Sequence, residues 1–282
     1  MTEKPVTYYF GRLNLVPVIL KLDEKIKFVS EALRSNRTTS RRNHIWRFSD
    51  VTEFSNTDGL YFSGLLVKYK LQGAEEVVVP ETGDITDESI QNPVVAKSRF
   101  FLHVSSGLIA YRPVSGKISE SQFRDEFARL IEEAYDHFFI NAEIQTVKDR
   151  VEFQETLKRT ENVSRIEIYL HPSNPSIGVW KDIDRDLKDT GTISLTEIRD
   201  TNENITSGNT ILTNEALLHK LLMSEDGYGE MKVKGKIDGK VRIISTRDNP
   251  VTASAPNDKN SVETVFAQLQ TTIRNIFDRF EK

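Results

Sequence analysis

The chain contains no cysteine in 282 residues, which excludes disulfides, cysteine-based zinc sites and a thiol nucleophile, and suits a reducing compartment. Proline is scarce, with nine residues, and no apolar run approaches the ~18 residues of a membrane-spanning helix. Residues 1–9 lack the charged-then-apolar order of a secretory signal. The expectation is a cytoplasmic protein without membrane contact. Excess charge of one sign is also missing: the net charge is −4, so any attraction to nucleic acid must come from local patches. No G-x-S-x-G elbow, H-E-x-x-H, G-x-x-x-x-G-K-[ST] or G-x-G-x-x-G occurs, so neither cofactor nor metal is expected. What remains, 38% hydrophobic and 28% charged residues, is an ordinary globular composition that fills one large or two modest domains.

Residues 97–171 organise the rest. Two β-rich runs, 98–104 and 108–113, are joined by Ser105-Ser106-Gly107, where Gly107 supplies the positive φ of a short hairpin loop. Ser119 and Gln122 then form a capping box ahead of a helix. In that helix Phe123, Phe127, Leu130, Ile131, Ala134 and Phe138 make one apolar stripe opposite Arg124, Glu132, Glu133 and Asp136. Strands at 142–147 and 164–171, with a short polar helix between them, complete a ferredoxin-like ββαβαβ unit. The fold expected is α+β: mixed or antiparallel sheets with helices packed on one face. An N-terminal half, 1–160, is expected to carry a basic loop at 32–49. A C-terminal half, 161–282, is expected to carry a basic hairpin at 230–246 and a terminal helix.

The basic loop contains Arg34, Arg37, Arg41, Arg42, Arg47 and His44 without a carboxylate, and Trp46 sits among them. Guanidinium forks grip phosphate oxygens and an aromatic ring can stack on an unpaired base, so the composition suits nucleic acid. The bland alternative is a solvated loop with Ile45, Trp46 and Phe48 anchoring the next strand. An acidic segment holding Glu81, Asp84, Asp87 and Glu88 is positioned to pair with this loop or to restrain it. In the hairpin, two registers compete. A two-residue Asp238-Gly239 turn mixes cations and apolar residues on each face. A three-residue Ile237-Asp238-Gly239 loop places Lys232, Lys234, Lys236, Lys240 and Arg242 on one surface, at the cost of like charges across the strands. The second is expected here, as a polyanion contact or as a lysine-protected edge. The final helix, opened by Asn260 and Glu263, carries Val262, Val265, Phe266, Leu269, Ile273, Ile276, Phe277 and Phe280 on an apolar face that docks on its own sheet or on a second copy.

Catalytic candidates are sparse. His103 and His171 fall on strands of the central unit and could serve as an acid/base pair for metal-independent RNA cleavage. Asp226 with Glu230-Met231-Lys232 resembles half of a metal-nuclease strand motif. Asp182, Asp184 and Asp186 imitate a calcium loop, but Leu187 stands where its glycine belongs, which leaves them as the polar face of a helix.

Several landmarks resemble an uncharacterised bacterial domain family encoded in mobile-element and phage-defence neighbourhoods. These are Ser164-Arg165-Ile166-Glu167-Ile168 leading into His171-Pro172-Ser173-Asn174-Pro175, then Asn202-Glu203-Asn204-Ile205, the Gly235-to-Gly239 segment, and Ile244-Ser245-Thr246-Arg247-Asp248-Asn249-Pro250. The resemblance implies a prokaryotic cytosolic protein of antiviral defence and carries over no catalytic residues. The function expected is therefore a defence component that contacts nucleic acid through its basic patches. The alternatives are a nuclease effector and a protein-interaction or sensor subunit, the last dimeric through the C-terminal helix or bound to a partner protein.

Overall fold

A computed structural model describes residues 4–16, 22–78, 85–136, 140–173, 178–202, 204–257 and 260–280. In chain order its elements are β1 (Val6–Val16), α1 (Leu22–Arg34), β2 (Thr39–Arg41), β3 (His44–Asn56), β4 (Gly59–Tyr69), β5 (Gln72–Val78), β6 (Ile85–Gln91), β7 (Val94–His103), β8 (Leu108–Tyr111), α2 (Glu120–Glu133) and β9 (Asn141–Thr146). There follow α3 (Arg150–Lys158), β10 (Glu161–Leu170), α4 (Lys181–Asp189), β11 (Leu195–Asp200), α5 (Gly208–Thr213), α6 (Glu215–Glu225), β12 (Gly229–Ile237), β13 (Lys240–Ser245), β14 (Thr252–Ala255), α7 (Val262–Phe277) and a 3-10 turn at Asp278–Phe280. The class is α+β, as the sequence indicates.

The larger sheet runs β14-β1-β8-β7-β4-β3-β2, with β9 also paired to β1. β1 is long enough to take β8 along one edge and β14 followed by β9 along the other. The smaller sheet runs β11-β10-β12-β13, and β5-β6 form a separate hairpin. Every pairing between these strands is antiparallel.

Side chains alternate across the larger sheet because successive Cβ atoms point to opposite faces. Phe62, Leu66, Phe100, Leu102, Ile109 and Tyr111 form one core with Val29 and Leu33 of α1 and Phe123, Phe127 and Ile131 of α2. Tyr8, Phe10, Tyr61, Phe101 and Leu108 form another with Val265, Phe266, Leu269 and Ile273 of α7. Helices thus cover both faces of this sheet, where the sequence suggests one. The strongly apolar β4, β7 and β8 have two sides to bury, which a one-sided alternation would not require. The apolar face of α7 is occupied by its own sheet, which removes the basis for a dimer through that helix. Its N-cap is Ser261, whose Oγ accepts from Thr264 N, rather than Asn260.

The ββαβαβ order is present as β7-β8-α2-β9-α3-β10, but β10 leaves for the smaller sheet. The unit is therefore split between two layers and is not a single ferredoxin-like sheet. The boundary expected at 160 and 161 falls beside β10, while β14 and α7 return to the larger sheet. The capping box of α2 is present, with Gln122 N donating to Ser119 Oγ and Ser119 N to Gln122 Oε1, both at 3.1 Å. Ser119→Ala should lower stability by about 1 kcal/mol. A urea midpoint unchanged by that substitution would show that the box contributes nothing. No helix among the described residues is long and apolar enough to cross a membrane.

Candidate nucleic-acid interface

The arginine-rich segment 32–49 is not a loop. Arg34 ends α1, and β2 and β3 form a hairpin whose two-residue turn, Arg42-Asn43, has φ of 49° and 63°. Trp46 is 2% exposed in the main core, with Lys68 Nζ 5.2 Å from its ring centroid. It cannot stack on a base; its place on the inward side of β3 is what the alternation Trp46, Phe48 indicates. Three of the arginines meet carboxylates: Arg34 with Glu53 at 3.0 Å, Arg37 with Asp136 at 3.1 Å, and Arg41 with Asp125 at 3.3 Å and Glu126 at 3.2 Å. Arg47 donates to Asn36 Oδ1 at 3.4 Å. Of the acidic segment proposed to restrain them, Glu81 and Asp84 lie outside the described residues, and Asp87 and Glu88 belong to β6.

The lysine hairpin takes the other register. Lys236 pairs with Val241 and Ile237 with Lys240, across a two-residue Asp238-Gly239 turn with φ of 51° and 74°. Asp-Gly in this conformation matches the twist of the strands, and the register avoids setting Lys236 against Lys240. Lys232, Lys234 and Lys236 therefore share a face with Ile243 and Val241, which are 65% and 62% exposed. Lys240 and Arg242 fall on the opposite side, so the five-cation surface does not exist. The same face continues over β10 as Arg165, Glu167 and Tyr169. Arg165 is neutralised by Glu167 at 2.7 Å and Asp200 at 3.0 Å.

His103 and His171 have separate surroundings and share no partner. His103 Nε2 donates to the Asp58 carbonyl at 2.9 Å, Nδ1 lies 2.8 Å from Ser106 Oγ, and Tyr61 and Phe277 pack on the ring. Burial pushes its pKa down to about 4; it is a neutral, satisfied core histidine. His171, also buried, lies with Nε2 2.8 Å from Glu143 Oε2, and its Nδ1 has no hydrogen-bond partner among the described residues.

Asp226 and Glu230 are equally divided. Asp226 is fully buried between Arg150, at 2.5 Å, and Arg279, at 3.6 Å, while Glu230 meets Ser245 at 2.8 Å, Arg247 at 3.1 Å and Lys232 at 3.6 Å. No cluster of three metal-ligating side chains occurs among the described residues. Asp184, read from the sequence as a polar-face residue, is buried instead: it accepts from Ser173 N at 2.5 Å and pairs with Lys188 at 2.7 Å.

What the fold does assemble is a cleft of about 470 Å³ between α2, β9 and the turn after β13, lined by Arg41, Arg124, Arg129, Arg247, Asp125 and Glu143 among others. Each element contributes by its exposed side. Arg124, Asp125 and Arg129 stand on the polar flank of α2, opposite its buried phenylalanines. Arg247 is fixed by its turn, where Ser245 N donates to Asp248 Oδ2 at 2.9 Å and Arg247 N to Ser245 Oγ at 2.9 Å.

The acids of the cleft are largely engaged. Glu126, buried below it, takes Arg41 and Arg129 at 3.2 Å each, Glu132 accepts from Ala142 N at 2.8 Å, and Glu143 is held by His171 and Gln145. Arg124 reaches Thr146 Oγ1 and has no carboxylate partner among the described residues. Arg41 also lines a neighbouring hollow with Arg42, His44 and Lys70, and Arg247 leads through Glu230 to Lys232, which borders a shallow hollow with Tyr169 and Ile198 on the open sheet.

Sequence reasoning missed Arg124, Arg129, Glu143 and Arg247 as a group. Arg124 was visible only as polar-face filler, and three segments far apart in the chain have to pack before these residues meet. The chain matches none of the curated proteins with which it was compared. The sequence pattern of a domain of unknown function (DUF4747) matches residues 6–274, and the chain belongs to that family.

Proposed function

We propose that the protein binds a nucleic-acid strand through the cleft of Arg41, Arg124, Arg129 and Arg247 and onward over the open face carrying Tyr169, Lys232, Lys234 and Lys236. The observation that carries this reading is the convergence of four guanidinium groups on one cavity, where Arg41, Arg129 and Arg247 each share a carboxylate and Arg124 has none among the described residues. Guanidinium forks suit phosphate oxygens, and a half-buried tyrosine on an open sheet offers a stacking surface. A role in bacterial antiviral defence is part of the proposal and rests on the resemblance of the landmark segments.

The test is binding of labelled single-stranded RNA and DNA at two salt concentrations. Arg124→Gln with Arg247→Gln should weaken binding at least tenfold and reduce the salt slope by about 2. Equal affinity of this double variant and the native chain would refute the cleft as the binding site.

A second reading, strand cleavage, is favoured by Glu143. It lines the cleft with its side chain 39% exposed, and buried His171 holds one oxygen. A carboxylate so oriented can take a proton from an attacking hydroxyl. Glu143→Gln should then abolish cleaved product on a denaturing gel while leaving affinity intact. Product formed by that variant at the native rate would exclude Glu143 as the base.

A further inference from the structure

One edge of the larger sheet is left open along β3. β2 covers β3 only at His44, Ile45 and Trp46, so no strand lies against the outer side of residues 47–56 among the described residues. The register with β4 shifts between Ser49 and Thr52, around Asp50 with φ of 53°, and residues 52–56 then pair regularly. Open edges are normally blunted by lysine, proline or a covering element. β13, at the edge of the smaller sheet, carries Lys240 and Arg242. Thr52-Glu53-Phe54-Ser55-Asn56 has neither lysine nor proline, and its one acid, Glu53, is held by Arg34 at 3.0 Å.

The direction of the backbone groups follows from β4. Val104 N donates to the Leu60 carbonyl at 3.2 Å, so Leu60 turns its polar groups toward β7, while Gly59 and Tyr61 turn theirs toward β3. Their partners there are Asn56 and Phe54. The alternation leaves the N–H and C=O of Glu53 and Ser55 pointing outward, and no turn or loop among the described residues meets them. Between this edge and α7 lies a groove of about 490 Å³, lined by Phe54, Asn56, Val262, Phe266, Ala267 and Gln270 among others. The Phe54 ring is fixed beside it, 4.9 Å from Phe266 and 5.5 Å from Tyr61 between centroids. The groove shares no lining residue with the arginine cleft.

We propose that this edge is an interface with a second copy of the chain, formed by antiparallel pairing of the two β3 strands about a two-fold axis at Phe54. An isologous contact needs a surface complementary to itself. Pairing about Phe54 sets Glu53 against the partner's Ser55, and Ser55 against the partner's Glu53. These are the residues whose polar groups point outward, so each pair exchanges both of its N–H···O bonds. Phe54 then meets the partner's Phe54 in the closer, non-bonded kind of pair, about 4.5 Å between Cα atoms, with both rings at the groove. Moving the axis to Glu53 opposes two carboxylates, and moving it to Ser55 separates the rings. What selects a second copy over a foreign strand is this match: outward polar groups in register, rings opposed and no like charges opposed. The apolar face of α7 stays on its own sheet, and only its flank borders the contact.

The experiment is sedimentation velocity on the full chain at protein concentrations from about 1 to 100 μM. The native chain is expected to sediment as a dimer at the upper end of that range. Ser55→Pro deletes an outward N–H that β4 does not use, so it should weaken association at least tenfold and leave the urea midpoint unchanged. Ser55→Glu and Ser55→Lys test the register, because residue 55 faces the partner's Glu53. The first should weaken the dimer about tenfold, and the second should leave it as tight or tighter. A native chain that is monomeric throughout overturns the proposal and leaves the groove to a foreign strand. A dimer that Ser55→Pro does not weaken overturns the edge as the interface, and equal effects of Ser55→Glu and Ser55→Lys overturn the pairing about Phe54.

Discussion

Asp226→Ala is expected to lower stability by about 3–5 kcal/mol, the usual consequence of stranding buried charges, against a typical folding margin of ~5–15 kcal/mol. Asp226 is fully buried, and three distant parts of the chain converge on it. Arg150 of α3 pairs with its carboxylate at 2.5 Å and Arg279 of the final turn at 3.6 Å, while Arg12 of β1 donates to its backbone carbonyl at 2.7 Å. Arg12 spans both layers, since it also donates to the Ser106 carbonyl at 2.8 Å and lies over the Tyr228 ring. Burial pushes the Asp226 carboxyl up, and the three arginines pull it back. Removing the carboxylate leaves Arg150 and Arg279 with nearby Glu225, whose pKa burial raises to about 8. Asp226→Asn, which keeps the shape, should lose less than alanine. Urea unfolding curves decide the matter: a loss below about 1 kcal/mol for alanine would show that these arginines do not depend on Asp226.

Glu225 itself predicts a pH dependence. Its folded-state pKa of about 8 stands above the ordinary 4.5. Its stabilisation is therefore complete below 4.5 and lost as pH rises through 8. Glu225→Gln lacks that loss, so its stability relative to the native chain should rise steadily across this range. A difference that stays flat in paired urea titrations would place Glu225 in contact with solvent.

These two acids show where the sequence was readable and where it was not. The capping box at Ser119 and Gln122 and the turn at Gly107, with φ of 70°, depend on a few adjacent residues, and both are present. The Arg42-Asn43 turn is equally local, but arginine is a poor residue for positive φ and hid it. Asp226 and Glu230 look like nuclease ligands because the spacing of common residues says nothing about which layer each enters. Glu230 starts on the open sheet face, and Asp226 caps α6 beneath it. The lysine hairpin turned on a balance that the sequence did contain. Like-charge repulsion and the Asp-Gly turn preference outweigh the separation of cationic and apolar faces, and Lys236 pairs with Val241. The cleft was not readable at all, because α2, β9 and the Arg247 turn come together only through long-range packing.

Lys148→Met should stabilise the protein by about 2–4 kcal/mol at neutral pH and below. The amine has a pKa near 7 in the folded chain against an ordinary 10.5. Between these values the unfolded chain holds a proton that the folded chain lacks, so the native protein gains stability as pH rises from 7 to 10.5 and forfeits it as pH falls through 7. Methionine has nearly the same length, fills the same space and carries no charge to desolvate. The advantage of the variant should therefore be largest at pH 6.5 and shrink toward pH 10, read from urea midpoints at the two values. A variant less stable than the native chain at pH 6.5 would mean that the amine is well solvated or already paired. A neutral side chain of the same size would fit the same space without the desolvation cost, so at neutral pH the charge of Lys148 works against the fold.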